Sequence, residues 1–191
     1  MRDSGDENCS AQIPVFASIP SKLDAKQHAS RSYIYRELTK VGLHPRTVGG
    51  SDKGVYNPLH EVRTLARHCA GGIILGYEQI TAEQVFKRVR NKSGRVSSQI
   101  ALNDPYVAPT PWNQLETGLL FGLGLPLLVL KQEGITGGIF DEGASDVLIQ
   151  SMPMPGPHWT ESDLAKSEAC CDFEATLLRW QARVRQQYYG D

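Results

Sequence analysis

The sequence predicts a doubly wound α/β fold, a parallel sheet of four to five strands with helices on both faces. Three observations carry that prediction. Short apolar runs alternate with helical patterns, the strongest runs are apolar on both pleat faces, and the first, second and fourth runs open at their carboxyl ends into loops with Gly, Ser or Pro. At 191 residues the chain exceeds a minimal domain and falls short of two, so residues 13–191 are read as one domain behind a polar N-terminal tail, residues 1–12.

Residues 13–19 (IPVFASI) form a short apolar run that enters a loop at Pro20, as a buried first strand does. From 26 to 41 the spacing of Tyr33, Ile34, Leu38 and Val41 is helical, and Gly42 stops it. A second strand is expected over 44–48, before the loop signature of Gly49, Gly50, Ser51, Asp52 and Gly54. Pro58 suits the first turn of a helix over 57–69, whose Leu59, Val62, Leu65 and Ala66 share a face. Residues 73–77 (IILGY) then read as a central parallel strand.

Between 78 and 110 the periodicity weakens into a polar insertion, where the pattern predicts a helix over 82–90 followed by a basic, serine-containing loop. Helical spacing resumes over 112–124 through Leu115, Leu119 and Leu123, and 126–130 (PLLVL) is a strong fourth strand. Gly134, Gly137 and Gly138 mark a flexible loop, and a weak fifth strand is expected over 147–152. After a proline-rich MPMPGP segment, a long final helix is predicted over 162–188, carrying Leu164, Phe173, Leu177, Trp180 and Val184.

Composition excludes several classes. Twenty Lys and Arg against 21 Asp and Glu leave a net charge of -1, so no overall field attracts a nucleic acid or an anionic membrane, and any basic site is local. The longest nearly apolar run, 118–130, contains three Gly and a Pro and falls short of the roughly 20 residues a span requires. The tail lacks an apolar h-region, and Cys9, Cys69, Cys170 and Cys171 match neither a disulfide framework nor a zinc spacing, so reduced thiols and a cytoplasmic location are expected.

Ligands of doubly wound sheets bind outside the carboxyl ends of the strands. The residues there are Ser18, Pro20 and Ser21 after the first strand, Ser51 to Asn57 after the second, Tyr77 and Glu78 after the third, and 110–116, with Trp112 and Asn113, before the fourth. Glu116 is the candidate for chemistry. It follows Trp112 by four positions, so the two share a helix face, near enough to the helix start for the dipole to favour a carboxylate. An indole can wall a pocket over that acid, and a carboxylate so placed can stabilise or attack an oxocarbenium-like ribosyl centre. The alternative is that Glu116 complements the dipole while Trp112 fills core.

Other candidates are weaker. Asp24, His28, Arg31 and Arg36 read as a solvated helix face, and Lys87, Arg88, Arg90, Lys92 and Arg95 as an ordinary basic surface helix lacking interleaved aromatics, which argues against a nucleic-acid partner. His60, Glu61 and His68 lack a third ligand at metal spacing, so no metal is expected. Ser18 lacks a G-x-S-x-G context, and Gly118, Gly122 and Gly124 fall late in a helix and not after the first strand, so neither a serine hydrolase nor a dinucleotide fingerprint is indicated.

The stretch Trp112-Asn113-Gln114-Leu115-Glu116, followed by Gly118, Gly124, Pro126 and the strand over 127–130, resembles the catalytic-helix motif of Toll/interleukin-1 receptor (TIR) domains, W-x-x-x-E before a helix and an apolar strand. It is also similar to nucleoside 2-deoxyribosyltransferases and related nucleotide N-hydrolases of flavodoxin-like architecture. The strand and helix order matches over about 13–130, but only 112–130 has a specific pattern.

The resemblance implies cleavage of an N-glycosidic bond, with Glu116 as catalytic carboxylate, Trp112 as pocket wall, and Ser18 with Pro20 contacting ribose or phosphate. Ser51, Tyr77 and Asn113 are further expected substrate contacts from the same edge. It also implies that NAD or another nucleotide is substrate and not cofactor, that no cofactor is needed, and that the chain self-associates as a homo-oligomer. A non-catalytic nucleotide-sensing or assembly module is the competing expectation.

Overall fold

The computed structural model describes residues 12–48, 58–101, 105–143, 147–156 and 168–190. The first half runs β1 (Ile13–Ser18), α1 (Ala25–Lys40), β2 (Leu43–Arg46), α2 (Pro58–Ala66) and β3 (Gly72–Gly76). An insertion of four short strands follows: β4 (Ile80–Ala82), β5 (Phe86–Arg90), β6 (Val96–Ala101) and β7 (Tyr106–Ala108). The chain then returns to α3 (Pro111–Gly122), β8 (Leu127–Lys131), a 3₁₀ turn (Gly138–Phe140), β9 (Leu148–Ser151) and α4 (Glu168–Tyr189).

The five long-range strands pair in the order β2-β1-β3-β8-β9, parallel throughout. The chain steps from β1 to one side and then back across it to β3, so the order reverses between β1 and β3, the flavodoxin-like arrangement. The fold is therefore a doubly wound, flavodoxin-like α/β fold with a long C-terminal helix, as the alternation of the sequence predicts.

Alternation along the strands splits the core in two. Val15, Ala17, Ile73, Leu75 and Leu128 face one way, beneath Ile34 and Leu38 of α1 and Phe173, Leu177 and Trp180 of α4. Phe16, Ile74, Leu127 and Val129 face the other, beneath Val62 and Leu65 of α2 and Leu120 of α3. The buried Trp180 also anchors α4, its indole N–H donating to the Pro126 carbonyl at 3.0 Å.

Local chemistry sets the element ends. Asp24 caps α1, accepting from the Gln27 backbone N–H at 2.8 Å while the Gln27 side chain accepts from the Asp24 N–H at 3.2 Å, a reciprocal capping box. At the other end Gly42 takes φ +77°, a left-handed conformation open to glycine, and the chain turns into β2. β2 ends two residues before the predicted second strand does. Its Pro45 has no N–H to donate, which an edge strand tolerates.

The insertion departs furthest from expectation. In place of a helix over 82–90, β5 and β6 form an antiparallel hairpin, and β4 pairs with β7 as a second short ribbon. The β-branched and aromatic residues Phe86, Val89, Val96 and Ile100 favour strands, and the turn 91–95 is built for a reversal. The Asn91 side-chain oxygen accepts from the N–H groups of Ser93 and Arg95 at 3.1 and 3.0 Å, and Gly94 takes φ +79°.

Among the described residues no helix is long and apolar enough to cross a membrane.

Candidate functional site

α3 begins beside the β1/β3 switch point because its first turn is stitched to both strand ends. Pro111 occupies the first turn, where its missing N–H costs nothing, after the extended Thr110. Asn113 is the stitch. Its side-chain N–H group donates to the Ser18 hydroxyl at 3.0 Å, with longer reaches of 3.5 Å to the carbonyls of Ser18 and Leu75, the ends of β1 and β3. Its oxygen accepts from the Thr110 hydroxyl at 2.9 Å, and its backbone carbonyl accepts from Thr117 at 2.5 Å.

Glu116 lies one turn further along α3, half-buried, and its Oε2 accepts a hydrogen bond from the Ser18 hydroxyl. Among the described residues that is its one hydrogen-bond partner, and no cation pairs with it. Burial pushes the carboxyl up to about 7 from 4.5, against the opposing pull of the Ser18 bond. The helix start does not offset this. Glu116 is the sixth residue of α3, beyond the first turn where the dipole acts. The result is an acid that titrates near neutrality at the edge where ligands of this fold bind.

The other predicted site residues divide. Trp112 is 43% exposed, so it does not fill core and its indole remains open on the helix that carries Glu116. Ser18 and Asn113 are buried, and they position Glu116 and α3 where open substrate contacts had been expected. Pro20 is likewise buried. Tyr77 requires a clearer correction. It is 0% exposed, and its hydroxyl donates to Ser30 of α1 at 3.1 Å within the α1 and α4 core, so it does not line the edge. Ser51 lies outside the described residues.

Several participants escape sequence reasoning. Thr117 completes the Asn113 clamp alongside Thr110, which the sequence already places at this edge. Gln27 donates to the Glu78 carbonyl at 3.0 Å, and Gln132 accepts from the Glu78 N–H at 3.0 Å, tying α1 to the exits of β3 and β8. The Asp24-x-x-Gln27 spacing is the signal that reveals Gln27 as part of a cap. The glycine loop after β8 is also held: Gln114 of α3 donates to the Gly137 carbonyl at 3.0 Å and accepts from the Ile139 N–H at 3.2 Å. Gly76 lets the 3₁₀ turn close over β3, since a Cβ there would run into the Phe140 ring.

Beside this cluster, at the carboxyl ends of β8 and β9, a cavity of about 640 Å³ is lined by residues including Lys26, Lys131, Gln132 and Ser151. Lys131 already donates to the Phe140 carbonyl at 2.9 Å. Among the described residues no group of three or more His, Cys, Asp and Glu side chains gathers as a metal site.

No family model matches the chain, and no curated protein matches it. Among solved structures it is similar to a diflavin flavoprotein from Nostoc sp., at 17% identity and a TM-score of 0.40, over 93% of this chain and 97% of that one. The flavodoxin-like class rests on the strand order of the sheet itself; the TIR and deoxyribosyltransferase resemblance stays at the level of the motif. One expectation is withdrawn. The sequence reading held that no cofactor is needed and that a nucleotide enters only as substrate, whereas the similar structure is of a diflavin flavoprotein. A likeness of that strength does not by itself give this chain a flavin or a flavin site.

Proposed function

We propose that this protein cleaves the N-glycosidic bond of a nucleoside or nucleotide, with Glu116 as the catalytic carboxylate and the exposed indole of Trp112, one turn before it on α3, as an aromatic wall beside it. The observation that carries the proposal is a desolvated glutamate at the β1/β3 switch point, held by a neutral hydroxyl and not by a cation. As the bond from C1′ to the base nitrogen breaks, the electron pair leaves with the base and positive charge develops at the sugar. A partly desolvated carboxylate meets that charge more strongly than a solvated one. Water, or the hydroxyl or N–H group of a second acceptor, then adds at C1′, and the proton it gives up balances the electron pair carried off by the base. Lys26 and Lys131 line the adjoining cavity together with Glu133, and the charge of the two cations over the one carboxylate suits a phosphate-bearing substrate.

Ser18 acts as a positioning residue. It fixes Oε2 and lowers the Glu116 pKa relative to burial alone. The working form is the ionised one, so kcat/KM rises with pH through about 7 on its acid limb. Ser18→Ala removes the lowering interaction and moves that midpoint upward. A pH profile separates this from a merely structural loss.

The test is incubation of wild type beside Glu116→Gln with nucleosides, mononucleotides and dinucleotides, read by chromatography for released base. Base released by wild type and not by the variant supports the proposal, and no release from any member of the panel overturns it. A second reading, an assembling signalling module, is favoured by Trp112, Leu115 and Leu123, which expose an apolar stripe along α3. Concentration-dependent association without base release supports that reading.

A further inference from the structure

The hairpin of β5 and β6 stands apart from the sheet. It forms its own two-stranded sheet, and every residue from Phe86 to Ala101 is exposed except the half-buried Val89. Within it lie Lys87, Arg88, Arg90, Lys92 and Arg95 and no acidic residue, a local charge of +5. Since the whole chain carries -1, the remainder carries -6, so the arm is a concentrated positive pole on an otherwise acidic protein. Among the described residues none of these five cations forms an ion pair. Arg90 donates to the Gly94 carbonyl at 2.8 Å, which stiffens the tip.

We propose that this arm binds duplex DNA, entering the major groove as a two-stranded β-ribbon. A B-form major groove is roughly 12 Å wide and admits such a ribbon. Cations are needed on both of the ribbon's faces, because phosphates flank the groove on both sides. Successive strand residues point to opposite faces, so Lys87 and Arg88 divide between the two, and the rigid turn carries Lys92 and Arg95 at the tip. A flat protein or membrane surface would draw on one face alone. Ile100, 55% exposed, shares a face with Lys87, and Phe86, 56% exposed, lies on the other, so either face carries one apolar side chain of the kind that meets thymine methyl groups. The deep, narrow major groove of A-form RNA does not admit the ribbon, and with Phe86 the sole aromatic on the arm there is no stacking platform for single strands.

From its sequence this segment is expected to be a surface helix without interleaved aromatics, on a chain with no overall positive field, and so not to bind nucleic acid. The hairpin replaces the helix, its charge is local, and a ribbon in a groove needs no stacking aromatics. The inference uses none of the residues around Glu116 and stands independently of the glycosidase proposal.

The test is fluorescence anisotropy of a labelled DNA duplex across a salt series, with duplex RNA and anionic vesicles as parallel probes. With about four cations engaged, log K falls against log salt with a slope of about -3.6, so affinity drops about 150-fold between about 50 and 200 mM salt. The combined variant Lys87→Gln, Arg88→Gln, Lys92→Gln and Arg95→Gln is expected to lose at least about tenfold in affinity and most of that slope. The wild-type slope is a readout that requires no variant to fold. Absence of binding at low salt overturns the inference, as does a slope unchanged in the variant. Tighter binding to RNA or vesicles overturns the assignment to DNA. So does self-association of the wild type that salt and the variant both abolish, which would assign the arm to the acidic face of a second copy.

Discussion

The clamp around Asn113 and the basic arm lie one after the other in the chain, between the end of β3 and the body of α3, yet they are built on opposite principles. In the clamp the polar groups are paired with one another: Asn113 alone joins Thr110, Thr117 and the ends of two strands. In the arm the side chains meet solvent, and what holds the shape is the strand ladder and the Asn91 turn. Buried polar networks are costly to disturb one member at a time, whereas an exposed ribbon accepts side-chain changes with small effect. Chemistry is therefore expected from the first region and adjustable recognition from the second.

The largest test of this contrast is catalytic. Glu116→Gln preserves size and the Ser18 hydrogen bond, so the fold should survive while base release falls about a thousandfold. An intact turnover rate in a folded variant would remove Glu116 from the chemistry. Next in size is Asn113→Ala. It strips the Ser18 and Thr110 hydroxyls of a partner and opens a void, and it should cost about 2–3 kcal/mol in urea unfolding. A loss well under about 1 kcal/mol would mean that water takes over the clamp, and the contrast with the arm would weaken.

How much of this the sequence reveals follows the same division. The sheet was legible because β1, β3 and β8 are buried on both faces, and burial imprints itself as unbroken apolar runs. The helix that carries Glu116 was legible for a related reason, the helical spacing of its own apolar residues. The arm was not. Phe86, Val89, Val96 and Ile100 face no core, so no buried face imposes a period of two, and a window containing Phe86 and Val89 three apart reads equally well as a helix turn. Tyr77 failed for another reason: its place at the end of an apolar strand suggested the site edge, but Ser30 of α1 satisfies its hydroxyl inside the core. A contact across 47 residues leaves no local pattern.

The Glu116 pKa provides a test at intermediate size. Its folded value of about 7 lies above the ordinary 4.5, so between those limits the folded state holds the proton more tightly than the unfolded chain. The stabilisation linked to that proton is fully present below about 4.5 and is lost as pH rises through about 7. Glu116→Gln cannot ionise. Its stability relative to wild type should therefore grow by about 2 kcal/mol from mildly acid to mildly alkaline pH, read from urea midpoints. A pH-independent difference would place the carboxyl in open water and deprive the site of its desolvated acid.

The smallest expected effect belongs to the arm. Phe86→Ser with Ile100→Thr removes its two most exposed apolar side chains, one from each strand, and neither packs against the sheet. Unfolding of the core should shift by less than about 0.5 kcal/mol, because a side chain that stays in water contributes little to the folded state. The same pair should weaken DNA binding without changing its salt slope, since the phosphate contacts remain. If unfolding shifts by more than about 1 kcal/mol, the arm is packed against the body in solution, and its cations then serve the fold before they serve a ligand.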